Sequence, residues 1–216
     1  DAQESRGLGD VYKRQTLRRV LMQTEELIEI VSDIRKIKSE SQTIELKAAK
    51  INCPTKLFDT LSSFSNQDNG GIIIFGIDES NDYEICGVYD PQDLQKRVTE
   101  QCKQMDPVVR ALFTMCSMNG KTIVSAEIPG VDISERPVYY KGVGRLKGSY
   151  IRVGESDELM SEYEIYSYEA FRKRTRDDIR VVDNGNFTMI NEERMETYLK
   201  AVKNERKNLS AVSYTH

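Results

Sequence analysis

Residues 64–78 read FSNQDNGGIIIFGID. A polar turn closes on Gly70-Gly71, and the near-continuous apolar run that follows delivers Asp78 at its end. A short β-branched run that is apolar at every position suits a central strand covered on both faces, here over 72–77. Gly76 inside that run predicts close approach of another backbone or a ligand. Upstream, Pro54 suits a first helical position, and Leu57, Phe58, Leu61 and Phe64 then mark one apolar face of a helix ending near Asn66. Ser62, Ser63 and Ser65 fall on what reads as its polar side.

Further out, residues 43–49 alternate as a strand, which puts Glu45 and Lys47 on one face because side chains repeat every two residues. Leu27, Ile28, Val31, Ile34 and Ile37 predict an amphipathic helix over 23–38. Downstream, 84–88 reads as a short strand, and Asp90-Pro91 opens a helix to about Gln104 with Asp90 as its N-cap. Residues 107–118 and 121–128 form a hairpin across Asn119-Gly120, a strong turn signal. Residues 137–141 and 149–153 are two more strands joined by a glycine-rich loop over 142–148. A helix over 161–174 ends the domain, a turn-rich connector covers 177–186, and a charged helix over 191–208 reads as leading into a further domain. Strands and helices mix without strict alternation, so the expected class is α+β, a mixed sheet flanked by helices.

The two ends read as foreign to the protein. Residues 10–15 (DVYKRQ) and 212–216 (VSYTH) can be back-translated into strings that are largely reverse complements of each other. Both resemble a sequencing-library adapter. The expected division is therefore 1–21 non-native, 22–174 the folded domain, 175–211 a connector and helix, and 212–216 adapter-derived. The single histidine, His216, lies in the adapter-like end, which argues against a histidine base or ligand. The four cysteines, Cys53, Cys86, Cys102 and Cys116, make no CxxC pair, so reduced thiols are expected rather than zinc or disulfides. No stretch approaches ~18–20 apolar residues. No membrane span is expected, and the cytoplasm is the expected location.

The net charge of −4 argues against a generally basic nucleic-acid binder, but the charge is uneven. Between 136 and 152 stand Arg136, Lys141, Arg145, Lys147 and Arg152 with no acid among them. Arg172, Lys173, Arg174 and Arg176 form a second cluster. A local patch of this kind can hold phosphate on an acidic domain. Tyr139, Tyr140 and Tyr150 lie in the first stretch, where aromatic rings can stack on bases. A second chemistry starts from the stretch SESQTIELK at 39–47, with Glu40, Glu45 and Lys47, joined by Asp78. Carboxylates of this number suit Mg²⁺ or Mn²⁺ through oxygen ligands. Such a metal would activate water and Lys47 would stabilise charge on an oxygen of the reacting phosphate.

Five motifs in order are similar to one family: ESQTIELK at 40–47, FSNQDNGGIIIFGIDE at 64–79, ICGV at 85–88, RPVYYKG at 136–142 and SYIRVGES at 149–156. Together they resemble the Schlafen-type AlbA-like domain, also labelled a divergent AAA domain, over 40–169. The resemblance implies a module of larger bacterial proteins labelled transcriptional regulators or helicase-related, with DNA or RNA as partner. It also implies that Glu40, Glu45 and Asp78 stand where RNA-cutting animal members hold metal; those members fuse two lobes, and the single lobe here leaves room for a second copy to complete a homodimer. Nucleic-acid binding through Arg136, Tyr139, Lys141, Arg145, Lys147 and Arg152 is the leading expectation. Metal-dependent RNA cleavage by Glu40, Glu45, Asp78 and Lys47 is the alternative. ATP binding ranks last, because the chain has no GxxxxGK[ST] loop and offers only the turn glycines of Asn69-Gly70-Gly71 and Gly142-Val143-Gly144.

Overall fold

The apolar run after Gly70 becomes the centre of a four-stranded sheet in the computed structural model, which describes residues 22–39, 41–177 and 191–205. The elements, in chain order, are helix α1 (Thr24–Ile37), strand β1 (Ile44–Lys47), helix α2 (Phe58–Ser65) and strands β2 (Gly71–Phe75), β3 (Ile77–Asp78) and β4 (Glu84–Ile85). Helix α3 (Pro91–Cys102), strands β5 (Met105–Asp106), β6 (Leu112–Met118), β7 (Lys121–Ile128) and β8 (Tyr139–Tyr140), and helix α4 (Arg145–Gly148) follow. Strands β9 (Tyr150–Val153) and β10 (Ser156–Leu159) and helices α5 (Glu162–Asp177) and α6 (Glu192–Glu205) complete the set. The main sheet runs β1-β2-β7-β6, with β1 parallel to β2 and the other pairs antiparallel. The fold is α+β with a mixed sheet, as the patterning predicts.

Alternation along β2 explains why both of its faces are apolar. Ile74 joins Leu27, Val31, Ile34, Leu46, Ile77 and Ile123 in the cluster under α1. Ile73 and Phe75 point the other way, into a cluster with Leu57, Leu61, Phe64, Leu94, Val98 and Val124 under α2 and α3. The sheet is the middle of three layers, so β2 has no solvent face. On β1, Leu46 shares the α1 side with Ile74, and Glu45 and Lys47 project to the α2 side.

Several boundaries differ from expectation for local reasons. The strand over 72–77 breaks at Gly76, which has φ 102°. A Cβ there would lie 3.2 Å from Gly87 Cα and from Thr122 O, so the expected close approach is made by backbone. Gly76 N donates to Lys47 O at 2.8 Å, and Gly76 O accepts from Cys86 N and Gly87 N. The helix expected from Pro54 starts only at Phe58. The Gln101 side chain holds the preceding loop open, accepting from Leu57 N at 3.1 Å and donating to Pro54 O at 2.8 Å. Asp90 caps α3 as expected, its Oδ1 accepting from Gln92 N and Asp93 N at 2.8 and 3.0 Å. The β6–β7 turn is also as expected, with positive φ at both Asn119 and Gly120.

The largest correction concerns the serine side of α2, expected to face solvent. Ser62, Ser63 and Ser65 are each fully buried. The β8–β10 region packs on that side, and the Ser62 and Ser63 hydroxyls are its hydrogen-bonding surface. Ser62 Oγ donates to Val138 O at 2.7 Å and accepts from Tyr150 N at 2.8 Å. Asn66 completes the seam: Oδ1 accepts from Val138 N at 2.8 Å, and Nδ2 donates to Val138 O and Tyr150 O, both at 3.0 Å. The loop over 142–148 is not all coil, since its second half winds into α4. Strand β10 was not expected; its SDEL sequence is polar, but Gly154 (φ 63°) turns the chain back so that it pairs with β9.

The described residues up to Lys173 group as one compact unit and those from Arg174 as a second. In the second, Asn191 Oδ1 caps α6 by accepting from Arg194 N at 3.0 Å. Most of the connector expected over 177–186 lies outside the described residues. Among the described residues, no helix is long and apolar enough to cross a membrane.

Candidate nucleic-acid interface and carboxylate cluster

The basic stretch divides into bonded and exposed members. Arg136 is only 7 % exposed; Nη2 donates to Asp68 Oδ1 at 2.7 Å and Nε to Val131 O at 3.0 Å. Arg152 is more deeply committed, with 1 % side-chain exposure and both terminal nitrogens on carboxylates: Nη2 on Glu45 Oε2 and Nη1 on Asp157 Oδ1, each at 2.9 Å. Its guanidinium carbon also sits 5.2 Å from the Phe64 ring centroid. These two arginines, expected to hold phosphate, instead fasten loops and strands to the domain, because each has a carboxylate delivered to it by the fold.

Lys141, Arg145 and Lys147 remain exposed, on the loop between β8 and α4 and on α4 itself. Arg145 reaches Glu169 on α5 in an ion pair that keeps 41 % of its side chain exposed, and its guanidinium lies 5.9 Å from the Tyr139 ring centroid. The Tyr139 hydroxyl donates to Asp106 Oδ2 at 2.6 Å, and this bond, with partial burial, pushes the phenol up from its ordinary value. Tyr140 stacks on Phe58 with ring centroids 3.7 Å apart, so one face of its ring is already covered. Tyr150 is half-buried beside Asp59, and burial is the main cause holding its phenol above the usual range. Val143 and Leu146 are exposed between the cations.

Of the carboxylates of the alternative chemistry, the two that are described, Glu45 and Asp78, are engaged separately. Glu40 lies outside the described residues. Glu45 Oε1 accepts from Lys47 Nζ at 2.5 Å and Oε2 from Arg152, so both of its oxygens face cations. Asp78 Oδ1 accepts from Ser80 Oγ at 2.7 Å, at the start of a 3-10 turn. Among the described residues, no three His, Cys, Asp or Glu side chains group closely enough to hold a metal ion. As they stand, Glu45 and Asp78, the described members of this donor set, do not fit Mg²⁺ or Mn²⁺ between them. Gly70 and Gly71, the turn glycines of the ATP reading, serve packing: added Cβ atoms would come within 2.0 Å of Ile128 O and 2.4 Å of the Phe64 ring.

Three acids that the sequence reading passed over shape this surface. Asp157 lies directly across from Arg152 in the β9–β10 register, and it also accepts from Thr60 Oγ1 and Ser63 Oγ at 2.7 and 2.5 Å. The Gly154-Glu155 turn was the available signal, since a two-residue hairpin loop would have set the two opposite each other. Asp106 and Glu169 pair with Tyr139 and Arg145 across long separations and left no local trace. The thiols are consistent with inert packing: burial raises Cys53 and Cys102 to about 11.

No curated protein matches the chain. Among solved structures, the N-terminal domain of a RecG-related protein from Nitrosomonas europaea is 25 % identical with a TM-score of 0.48, over 62 % of this chain and 92 % of that one. The DIP2311 protein from Corynebacterium diphtheriae is 18 % identical with a TM-score of 0.45, over 68 % of this chain and 29 % of that one. The family model described as Schlafen, AlbA_2 matches residues 40–161, which takes in β1, the GG turn, the buried serine helix and the basic loop. The chain belongs to the Schlafen AlbA_2 family.

Proposed function

We propose that this domain binds nucleic acid through the segment from Tyr139 to Lys147, with Lys141, Arg145 and Lys147 holding phosphates and Tyr139 beside them. The observation that carries the reading is the pairing of sequence and exposure. Residues 141–148 contain three bases and no acid, and all three bases are exposed while Arg136 and Arg152 are buried. The expectation drawn from the family resemblance points the same way. A short basic segment gives backbone affinity without base readout, so binding should be weak in sequence preference and steep in salt. Arg145 must exchange Glu169 for phosphate, so its contribution is smaller than that of a free cation.

Fluorescence anisotropy with a labelled single strand and a labelled duplex, over a salt series, tests this. Replacing Lys141 and Lys147 with alanine is expected to weaken binding to every sequence alike and to reduce the slope of log K against log salt by roughly one to two. An unchanged affinity and slope in that double variant would end the proposal.

A further inference from the structure

The family resemblance assigns Glu45 to a metal, and Glu45 is instead held by two cations of the chain itself. We propose that Arg152 stands in this domain where a divalent cation would otherwise sit beside Glu45, as the bridging charge of a metal-free clamp formed by Glu45, Arg152 and Asp157. The clamp is electroneutral with Lys47 included: two carboxylates and two cations in contact. It is also sequestered, since the side chains of Glu45 and Asp157 are 13 % and 14 % exposed and that of Arg152 is 1 % exposed. A planar guanidinium offers nitrogens in two directions at once, which suits it to join carboxylates on separate strands.

Four elements meet at this one side chain. Glu45 brings β1, and Arg152 Nη2 also donates to Ile44 O of the same strand at 3.3 Å. Asp157 brings β10, and through Thr60 and Ser63 it brings α2, whose Phe64 ring lies under the guanidinium. Arg152 itself is on β9. A divalent ion at Glu45 would have to displace Lys47 and sit beside a buried guanidinium, where like charges repel strongly because solvent screening is weak. Each carboxylate oxygen of Glu45 already accepts a charge-assisted bond, so an ion would have to compete with both cations for it. The clamp is independent of whether the basic loop binds nucleic acid.

Thermal unfolding of the full chain, stripped with a chelator and then titrated with Mn²⁺, tests the proposal alongside the paramagnetic resonance of free Mn²⁺. The wild-type midpoint is expected to stay where it is and the free-Mn²⁺ signal to stay undiminished. R152M should lower the midpoint by on the order of 10 °C, because it strands two carboxylates. E45Q should also lower the midpoint in the wild-type background, yet cost little or even recover stability on top of R152M. A Mn²⁺-dependent rise in the wild-type midpoint that E45Q abolishes would overturn the proposal, as would strictly additive effects of R152M and E45Q. If R152M does not fold, R152K is the milder variant: it keeps the charge and loses the fork, so it should lower the midpoint by less, and E45Q on top of it should cost stability rather than recover it. The Mn²⁺ titration of the wild type needs no variant.

Discussion

At the residue scale, the basic stretch shows how one residue type acquires different roles from its position. Arg136, Arg145 and Arg152 read alike in the sequence and end up buried on Asp68, half-exposed on Glu169 and enclosed between Glu45 and Asp157. What separates them is the acid delivered to each from elsewhere in the chain, and that acid is set by tertiary packing. The Arg145–Glu169 pair competes directly with a phosphate. Replacing Glu169 with glutamine should therefore tighten nucleic-acid binding by about two- to fivefold at low salt, as expected for losing one partly exposed ion pair. The same anisotropy assay reads this, and a loss of affinity would mean that Glu169 positions Arg145 rather than restraining it.

At the element scale, α2 carries the most information per residue. Its apolar face was legible because Leu57, Leu61 and Phe64 recur at helical spacing, and all three are fully buried. Its serine face was not, because periodicity sorts residues by polarity, and a polar side can be buried when backbone groups arrive to satisfy it. Asn66 and Ser62 satisfy Val138 and Tyr150 in this way, and so anchor β8 and β9 at either end of the basic loop. Asn66→Ala removes the partner of the Val138 N–H and a donor to the Tyr150 carbonyl, while Val138 O keeps Ser62, at a cost of about 1–3 kcal/mol. Denaturant unfolding should show that loss, with the chevron or equilibrium slope unchanged. The hairpin β6–β7, α3 with its Asp90 cap and the core strand β2 were all readable, because their signals are local. Strand β10 and the late start of α2 were not, because a partner strand and the Gln101 amide decide them.

At the scale of the whole molecule, hydrogen-bonded surface carboxylates shape the response to acid. Asp93 is held below the usual carboxylate range by hydrogen bonds from Tyr89 and Arg97, and Asp132 by those from Ser134. A depressed folded-state pKa gives stability that is present above the unfolded value, ~3.9 for aspartate, and lost as pH falls through the folded value. Asp59 is raised instead, chiefly by burial, so its contribution is present at low pH and lost as pH rises through its folded value. Urea midpoints should fall on the acid side of about pH 4, and the double variant D93N and D132N should flatten that limb. A limb of the same steepness in the variant would assign acid sensitivity to other carboxylates.

The clamp and the serine seam have one more consequence, which concerns the order in which the chain is made. Ile44 and its partner Arg152 are 108 residues apart, and Ser62 is separated from Tyr150 by 88. Synthesis at ~5–20 residues per second therefore leaves roughly 5–20 s in which β1, α2 and β2 exist without β8–β10. During that interval a helix of buried-type serines and a Glu45 paired only with Lys47 face water, so the N-terminal half can form its helices but cannot close its core. The last strands to emerge act as the catch that completes a structure begun over a hundred residues earlier.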